Sequence, residues 1–144
     1  MDSTSGRETE LADYLSVELD APGRKVDVFE VGDGSKNVLV SWGVPKVIFC
    51  THLDTVPPYI APTWKCIGTS AVSSASAVYG RGTCDAKGQI FAMWEACKKL
   101  EARGCTDFGL LLLAGEETGS FGAKAFNKLV SENPSVILSS SVIL

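Results

Sequence analysis

The sequence predicts an α/β fold with a mostly parallel or mixed sheet and helices on both faces. From residue 47 onward, apolar runs of strand length alternate with helical periodicities in the order strand, helix, strand, helix, strand. This order is typical of parallel strands joined by crossover helices. Two of the apolar runs lead to His52 and to the pair Glu116 and Glu117, and the reactive residues of such sheets lie beyond the carboxyl ends of the strands.

The residues before this region are predicted to add one helix and two strands. Ser5 and Glu8 have the spacing of a capping box, and apolar residues follow at helical intervals as far as Leu19. Residues 26–31 and 37–42 are rich in β-branched and aromatic side chains, with glycines in the turn between them. We therefore expect a helix, a strand, a turn and a second strand.

The later elements are predicted in the same way. Residues 47–52 form a strand that ends at the histidine, and residues 56–78, with prolines and small residues but no sustained period, predict a long surface loop. Three further elements and a final apolar run follow: a helix over 87–103, a strand over 110–114, a helix over 121–130 and the run 136–144.

Composition limits the kinds of partner. The chain has 144 residues, 45% of them hydrophobic, which suffices for one domain with a core. A net charge of −4 and no basic run argue against binding to nucleic acid or to an anionic membrane. The polar N-terminus lacks a signal-peptide core, and no segment has the roughly 18 apolar residues of a membrane span. We expect a cytoplasmic protein whose partners are small molecules or ions, and whose five cysteines are reduced.

The first chemical motif holds the only histidine of the chain, His52, with Asp54 two residues later. Residues two apart on a strand point to the same side, so the carboxylate of Asp54 can accept one ring N–H of His52. This would fix the tautomer and direct the other nitrogen at a metal. The plainer interpretation is a loop histidine beside a solvated acid.

The second motif is the glycine-rich stretch from Gly80 to Gly88, which contains Asp85 and precedes a predicted helix. A phosphate loop requires Gly-Lys-Ser/Thr, whereas here Lys87 precedes its glycine, and an acid at position 85 would repel phosphate. An aspartate at a helix N-terminus stays ionised and can present both oxygens to cations. The alternative is an ordinary helix N-cap.

The third motif is the pair Glu116 and Glu117, flanked by Gly115 and Gly119 after a five-residue apolar run. Two adjacent carboxylates at the end of a buried strand are costly unless cations or protons neutralise them. They can also divide the work, with one binding a metal and the other acting as acid or base. Two solvated loop glutamates remain the plainer interpretation.

One imidazole and several carboxylates without thiolate suit Zn²⁺, with Mn²⁺ or Co²⁺ as alternatives. An acid-rich set around one imidazole also suits two metals that share a bridging carboxylate. Such a pair lowers the pKa of a water molecule and polarises a carbonyl, so the motifs predict hydrolysis of an amide or ester.

The three motifs, in this order, resemble the signature blocks of the di-zinc metallopeptidase family that includes acetylornithine deacetylase, succinyl-diaminopimelate desuccinylase, aminoacylase and glutamate carboxypeptidase. The resemblance implies a zinc-peptidase-like fold and two zinc ions in the complete site. His52 and Glu117 would each bind one metal and Asp85 would bridge both. Asp54 would orient His52, and Glu116 would be the general base. The substrate would be an N-acyl amino acid or small peptide, with a deacetylase-like activity preferred over a carboxypeptidase or dipeptidase activity.

The resemblance covers only the first part of such a protein. We expect residues 1–144 to be the N-terminal part of a metallohydrolase catalytic domain, incomplete at the C-terminus, without the smaller dimerisation or lid domain and the C-terminal catalytic segment. A homodimer would require that smaller domain. The family's further acidic ligand has no counterpart, because residues 131–144 contain only Glu132, and its second histidine is absent. The 144-residue chain alone is thus expected to be inactive, and a truncated, catalytically silent fragment that binds at most one metal is the alternative.

Overall fold

The computed structural model describes residues 1–67, 75–136 and 142–143. Its helices are α1 (Thr9–Glu18), α2 (Lys87–Ala102) and α3 (Phe121–Glu132). Its strands are β1 (Lys25–Gly32), β2 (Ser35–Gly43), β3 (Val47–His52), β4 (Thr63–Ile67), β5 (Ala75–Tyr79), β6 (Asp107–Leu113) and β7 (Val142–Ile143). A 3-10 helix covers Pro134–Val136.

Five strands form one sheet in the spatial order β1, β2, β6, β3, β7. β3 runs parallel to both β6 and β7, whereas β2 is antiparallel to both β1 and β6. The connection from β3 to β6 contains β4, β5 and the helix α2, and it provides the crossover that parallel neighbours require. The predicted α/β fold with a mixed sheet is confirmed.

The central strand β6 is buried on both faces. Leu110 packs with Leu11 of α1 and Ile90 of α2 on one face. Leu111 points to the opposite face, where it packs with Phe126 of α3. Each fully buried leucine of this kind stabilises the fold by roughly 1.5–3 kcal/mol. The helices therefore cover both faces of the sheet, and this packing fixes the position of the carboxyl end of β6.

The register of β3 and β6 places the first and third motifs side by side. His52 lies opposite Leu113 at the last pair of the parallel ladder. One residue further, the N–H of Leu53 donates to the carbonyl of Leu113 at 2.8 Å. The loops that leave these two strands therefore start next to each other at the carboxyl edge of the sheet.

Two of the predicted irregular or apolar segments differ from the structure. The predicted surface loop over 56–78 contains a hairpin, because β4 and β5 pair as an antiparallel two-stranded sheet with Trp64 opposite Val78. Serine and alanine residues around β5 obscure its alternation in the sequence. Residues 68–74 of this prediction lie outside the described residues, as do residues 137–141 and 144 of the predicted run 136–144. Among the described residues of that run, β7 covers Val142–Ile143.

The predicted capping box is wrong. α1 begins at Thr9, and its N-cap, Glu8, makes no side-chain capping bond. Instead, the buried carboxylate of Glu8 accepts a hydrogen bond from the Ser35 hydroxyl at 3.1 Å. Residue 4 pairs with residue 55 ahead of a turn at Gly6, whose φ is +86°, and the Ser5 hydroxyl bonds to Asp54 and not to the helix.

Four cysteines are described with their side chains, and all four are free thiols. Burial raises the pKa of the thiols of Cys50 and Cys97 to about 11, so both stay protonated at neutral pH. This agrees with the expectation of reduced cysteines for these four residues. Among the described helices, none combines the length and the hydrophobicity needed to cross a bilayer.

Candidate metal centre

His52 is the last residue of β3 and its ring lies between two acidic residues. The side chain is buried, and Nδ1 lies 3.0 Å from the main-chain carbonyl oxygen of Asp54 and 3.5 Å from the carboxylate Oδ1 of the same residue. Nε2 lies 2.9 Å from Oδ1 of Asp85. The nearer acceptor for Nδ1–H is thus the carbonyl and not the expected carboxylate, because the chain curls back on itself as the strand ends.

The carboxylate of Asp54 instead connects three parts of the chain. It is fully buried, and its Oδ1 accepts the backbone N–H of Glu116 at 2.9 Å. Its Oδ2 accepts the N–H of Glu117 at 3.2 Å and the hydroxyl of Ser5 at 2.8 Å. The same residue therefore holds together the histidine, the N-terminus and the loop between β6 and α3, here called the glutamate loop.

Hydrogen bonding determines the charge of both residues. The carboxylate of Asp54, 3.5 Å from Nδ1, raises the pKa of His52 to about 9, although burial opposes this, and Asp85 adds to the rise. Burial alone would raise the pKa of Asp54, but bonds from His52, Ser5 and two backbone N–H groups bring it below its ordinary value. Without a metal, the pair at neutral pH is an imidazolium and a carboxylate.

Asp85 reaches the histidine from the loop before α2. Its side chain is 65% exposed, and the peptide bond that follows it is cis. The N-cap position of α2 belongs to Ala86, so the interpretation of Asp85 as an ordinary N-cap does not hold. The loop lies close to the histidine loop, since a Cβ on Gly82 would come within 2.7 Å of the Thr55 methyl group.

The two glutamates of the third motif take different positions. One ligand atom each from His52, Asp85 and Glu117 lie within 4.8 Å of one another, a group that could hold a metal ion. Glu116 is not in this group and its residue is exposed to solvent. Both glutamates lie in the turn that follows Gly115, whose φ of +61° and closeness to the Phe121 ring leave no room for a side chain.

Comparison with known proteins decides the family. Residues 48–140, which span all three motifs, match the model of peptidase family M20/M25/M40. The chain belongs to peptidase family M20/M25/M40. The expected resemblance to metallopeptidases is therefore confirmed.

Curated relatives within M20/M25/M40 carry two kinds of name. A probable carboxypeptidase of Aspergillus clavatus is 33% identical over 144 aligned residues, covering 92% of this chain and 33% of that protein. A probable carboxypeptidase of Aspergillus fumigatus is 38% identical over 92 residues, which cover 63% of this chain and 21% of that protein. N-acetyl-L-citrulline deacetylase of Xanthomonas campestris is 35% identical over 105 residues, which cover 73% of this chain and 26% of that protein. The chain thus spans a third or less of the length of these relatives.

Solved structures agree with the fold. A tripeptidase from Staphylococcus aureus superposes with a TM-score of 0.70 at 25% identity, covering 89% of this chain and 36% of that one. Human carnosine dipeptidase 1 superposes with a TM-score of 0.69 at 20% identity, and the match covers 99% of this chain and 34% of that one. The second likeness concerns the fold alone.

The residues of this M20/M25/M40 chain fit a metal ion. The family is metal-dependent, and the group made by His52, Asp85 and Glu117 offers one imidazole nitrogen and carboxylate oxygens. Nδ1–H of His52 has an acceptor, which leaves Nε2 to bind a cation, and the exposed side of Asp85 keeps the group open to solvent. These donor types suit Zn²⁺ and also Co²⁺ or Mn²⁺.

Sequence reasoning missed two residues that hold the centre. Ser5, which donates to Asp54, was interpreted as a helix cap. Asn37 of β2 is fully buried, donates to the carbonyl of Gly122 at 2.9 Å and accepts the N–H of Ala114 at 2.9 Å. It therefore ties the two ends of the glutamate loop to each other. An amide at the start of an otherwise apolar strand was the available signal.

Proposed function

We propose that the chain is the N-terminal part of the catalytic domain of a metal-dependent hydrolase that cleaves amide bonds in N-acyl amino acids or small peptides. The observation that carries the proposal is the convergence of donor atoms from His52, Asp85 and Glu117 within 4.8 Å. They come from the end of β3 and from two loops at the carboxyl edge of the sheet, where ligands of α/β folds bind. Membership of M20/M25/M40 supports the same reaction class.

Each residue then has a role that its position supports. His52, Asp85 and Glu117 would hold the metal, which is zinc, cobalt or manganese and supplies Lewis acidity when bound. Asp54 is the positioning residue, because it contacts His52 and both glutamate N–H groups. Glu116 is exposed and outside the ligand group, so it is free to take a proton from the attacking water and to pass it to the leaving amine.

The substrate has two candidates. A deacetylase acting on N-acyl amino acids is supported by the Xanthomonas relative, and a carboxypeptidase or dipeptidase is supported equally by the Aspergillus relatives. Because the 144-residue chain alone is expected to have at most marginal activity, the zinc-loaded chain is assayed at a concentration equal to that of the substrate, where one turnover already releases a measurable product. Acetate released from N-acetyl amino acids indicates the deacetylase, and a C-terminal residue released from dipeptides indicates the peptidase. Metal binding with neither product indicates the silent fragment.

The metal centre is tested directly by zinc titration of the 144-residue chain. We expect zinc binding to weaken at least roughly 10–100-fold in each of His52→Ala, Asp85→Asn and Glu117→Gln. A loss of that size follows even the removal of a residue that only hydrogen-bonds to a metal ligand. Glu95→Gln is the matched control, because Glu95 is a surface residue of α2 paired with Lys98. Zinc affinity that is equal in all five proteins would contradict the proposal.

The reaction is tested in a chimera in which this chain replaces the matching third of the Aspergillus clavatus relative. We expect zinc-dependent hydrolysis of the parent's substrates, which Glu116→Gln abolishes while zinc content stays the same. Turnover that persists after this substitution would remove Glu116 from the mechanism.

A further inference from the structure

The first residues of the chain lie against the loop that follows the metal-site histidine. Residues 3–5, here called the N-terminal segment, pair with residue 55 as a parallel β-bridge. The N–H of Thr55 donates to the carbonyl of Ser3 at 3.0 Å, and the N–H of Ser5 donates to the carbonyl of Thr55 at 3.1 Å. Ser3 and Thr55 are both almost fully buried. The segment therefore holds the backbone just after His52 and Asp54.

Ser3 also connects this loop to the loop of Asp85. Its hydroxyl donates to the carbonyl of Leu53 at 2.9 Å and accepts from Nζ of Lys87 at 2.7 Å. Lys87 is the first residue of α2 and lies two positions after Asp85. The N-terminal segment thus contacts both the loop that follows His52 and the helix start that follows the loop of Asp85.

Ser5 makes the contact closest to the chemistry. Its hydroxyl donates to Oδ2 of Asp54 at 2.8 Å. The other donors to this carboxylate are backbone N–H groups and His52 itself. Two described side chains lie next to this carboxylate, those of His52 and Ser5. His52 is a proposed metal ligand and Ser5 is not.

We propose that Ser5 is a positioning residue of the metal centre, which acts by fixing the carboxylate of Asp54 and through it the ring of His52. This inference rests on the proposed metal-dependent function. Second-sphere hydrogen bonds of this type orient ligating imidazoles, and their loss weakens metal binding by roughly 10–100-fold. The competing explanation is that Ser5 merely attaches the N-terminus to the domain, in which case its removal would change stability and nothing else.

The test compares Ser5→Thr with Ser5→Val, two side chains of the same shape that differ in the hydroxyl, and adds Ser5→Ala. Thr4→Val is the matched control in the same segment, because the Thr4 hydroxyl bonds to Asp2 and not to Asp54. Zinc affinity is measured by chelator competition, well below the melting temperature of each variant. The ring nitrogens of His52 are observed by ¹⁵N NMR without metal, and the assignment is unambiguous because the chain has one histidine.

We expect Ser5→Val and Ser5→Ala to bind zinc at least about tenfold more weakly and to shift the His52 ring signals. Ser5→Thr and Thr4→Val should match the wild type in both readouts. A lower melting temperature for Ser5→Val with unchanged affinity and unchanged ring signals would overturn the inference and leave the proposed function intact. A wild-type chain that binds no zinc would overturn both. If Ser5→Ala does not fold, the Thr and Val pair still decides.

Discussion

The buried carboxylate of Asp54, on the loop after β3, accepts the backbone N–H of Glu116, on the loop after β6, at 2.9 Å. This bond joins the ends of two parallel neighbours across the carboxyl edge of the sheet. The same carboxylate lies 3.5 Å from Nδ1 of His52. The position of the glutamate loop and the orientation of the histidine therefore depend on one side chain.

Asp54→Asn is expected to lower both stability and zinc affinity. The amide keeps the size of the side chain but places an NH₂ group where an oxygen now accepts from Glu117 and Ser5, so at least one buried partner loses its bond. An unsatisfied buried group costs about 1–3 kcal/mol. Urea unfolding and zinc titration measure the two effects. Asp107→Asn, at a carboxylate with a 55% exposed side chain, should change neither, and equal results for the two variants would contradict the role of Asp54.

The stability of the zinc-free chain should fall as pH rises from about 6.5 to 9. The pKa of His52 in the folded chain is about 9, above its ordinary value of 6.5, so the folded state binds more protons than the unfolded state in this window. The stabilisation is complete below the lower pKa and is lost as pH rises through the higher one, with a total of about 3 kcal/mol. Urea unfolding at pH 6 and pH 8.5 measures the difference. His52→Gln should remove it, and a wild-type curve that is flat over this range would mean that the imidazolium is not stabilised.

Zinc affinity should change with pH in the opposite direction. A metal can bind Nε2 of His52 only after the proton leaves, and the raised pKa keeps that proton in place at neutral pH. Below pH 9, each unit of pH should therefore strengthen zinc binding by up to about tenfold. Competition titrations at pH 6, 7 and 8 in a non-coordinating buffer provide the measurement. Equal affinities at all three values would place the zinc elsewhere on the chain.

The sheet was largely predictable because its strands are apolar runs with clear ends. The prediction for β6 missed the start of the strand, since Asp107 and Gly109 interrupt the apolar pattern. Gly109 lies where a Cβ would come within 3.1 Å of the Val40 carbonyl, a packing requirement between strands that hydrophobic periodicity does not encode. The hairpin of β4 and β5 was missed because it lies outside the main sheet, so burial imposes no strong alternation on it.

The chemistry-bearing residues of the site were also predictable, but most of their contacts were not. His52, Asp85 and Glu117 stand out as ligand types at the ends of predicted elements. The partners of Asp54 come from Ser5, 49 residues earlier, and from Glu116, 62 residues later. Such contacts depend on the three-dimensional path of the chain. Ser5 was misinterpreted because the spacing of a capping box is a local signal, and a long-range pairing with residue 55 overrides it.

The two glutamates should separate metal binding from turnover. Glu117 supplies a donor to the three-residue group, so Glu117→Gln should weaken zinc binding at least about tenfold. Glu116 lies outside that group, so Glu116→Gln should leave zinc affinity within about threefold of the wild type. This change is smaller than the loss expected when a residue that supports the metal is removed. In the chimera, both changes should remove turnover. Metal analysis that shows the reverse pattern would exchange the two roles.

Asn37→Ala should destabilise the glutamate loop from a position on β2. The substitution leaves the buried N–H of Ala114 without its acceptor. It also removes the hydrogen bond that the Asn37 side chain donates to the carbonyl of Gly122 at the start of α3. Helix bonding can still use that carbonyl, so the unpaired N–H carries most of the cost, about 1–3 kcal/mol. Chemical unfolding gives the free energies, with Asn127→Ala as a control at an exposed site of α3, where we expect a change within about 0.5 kcal/mol. If Asn37→Ala and Asn127→Ala are equally stable, the hydrogen bonds of Asn37 do not hold the loop.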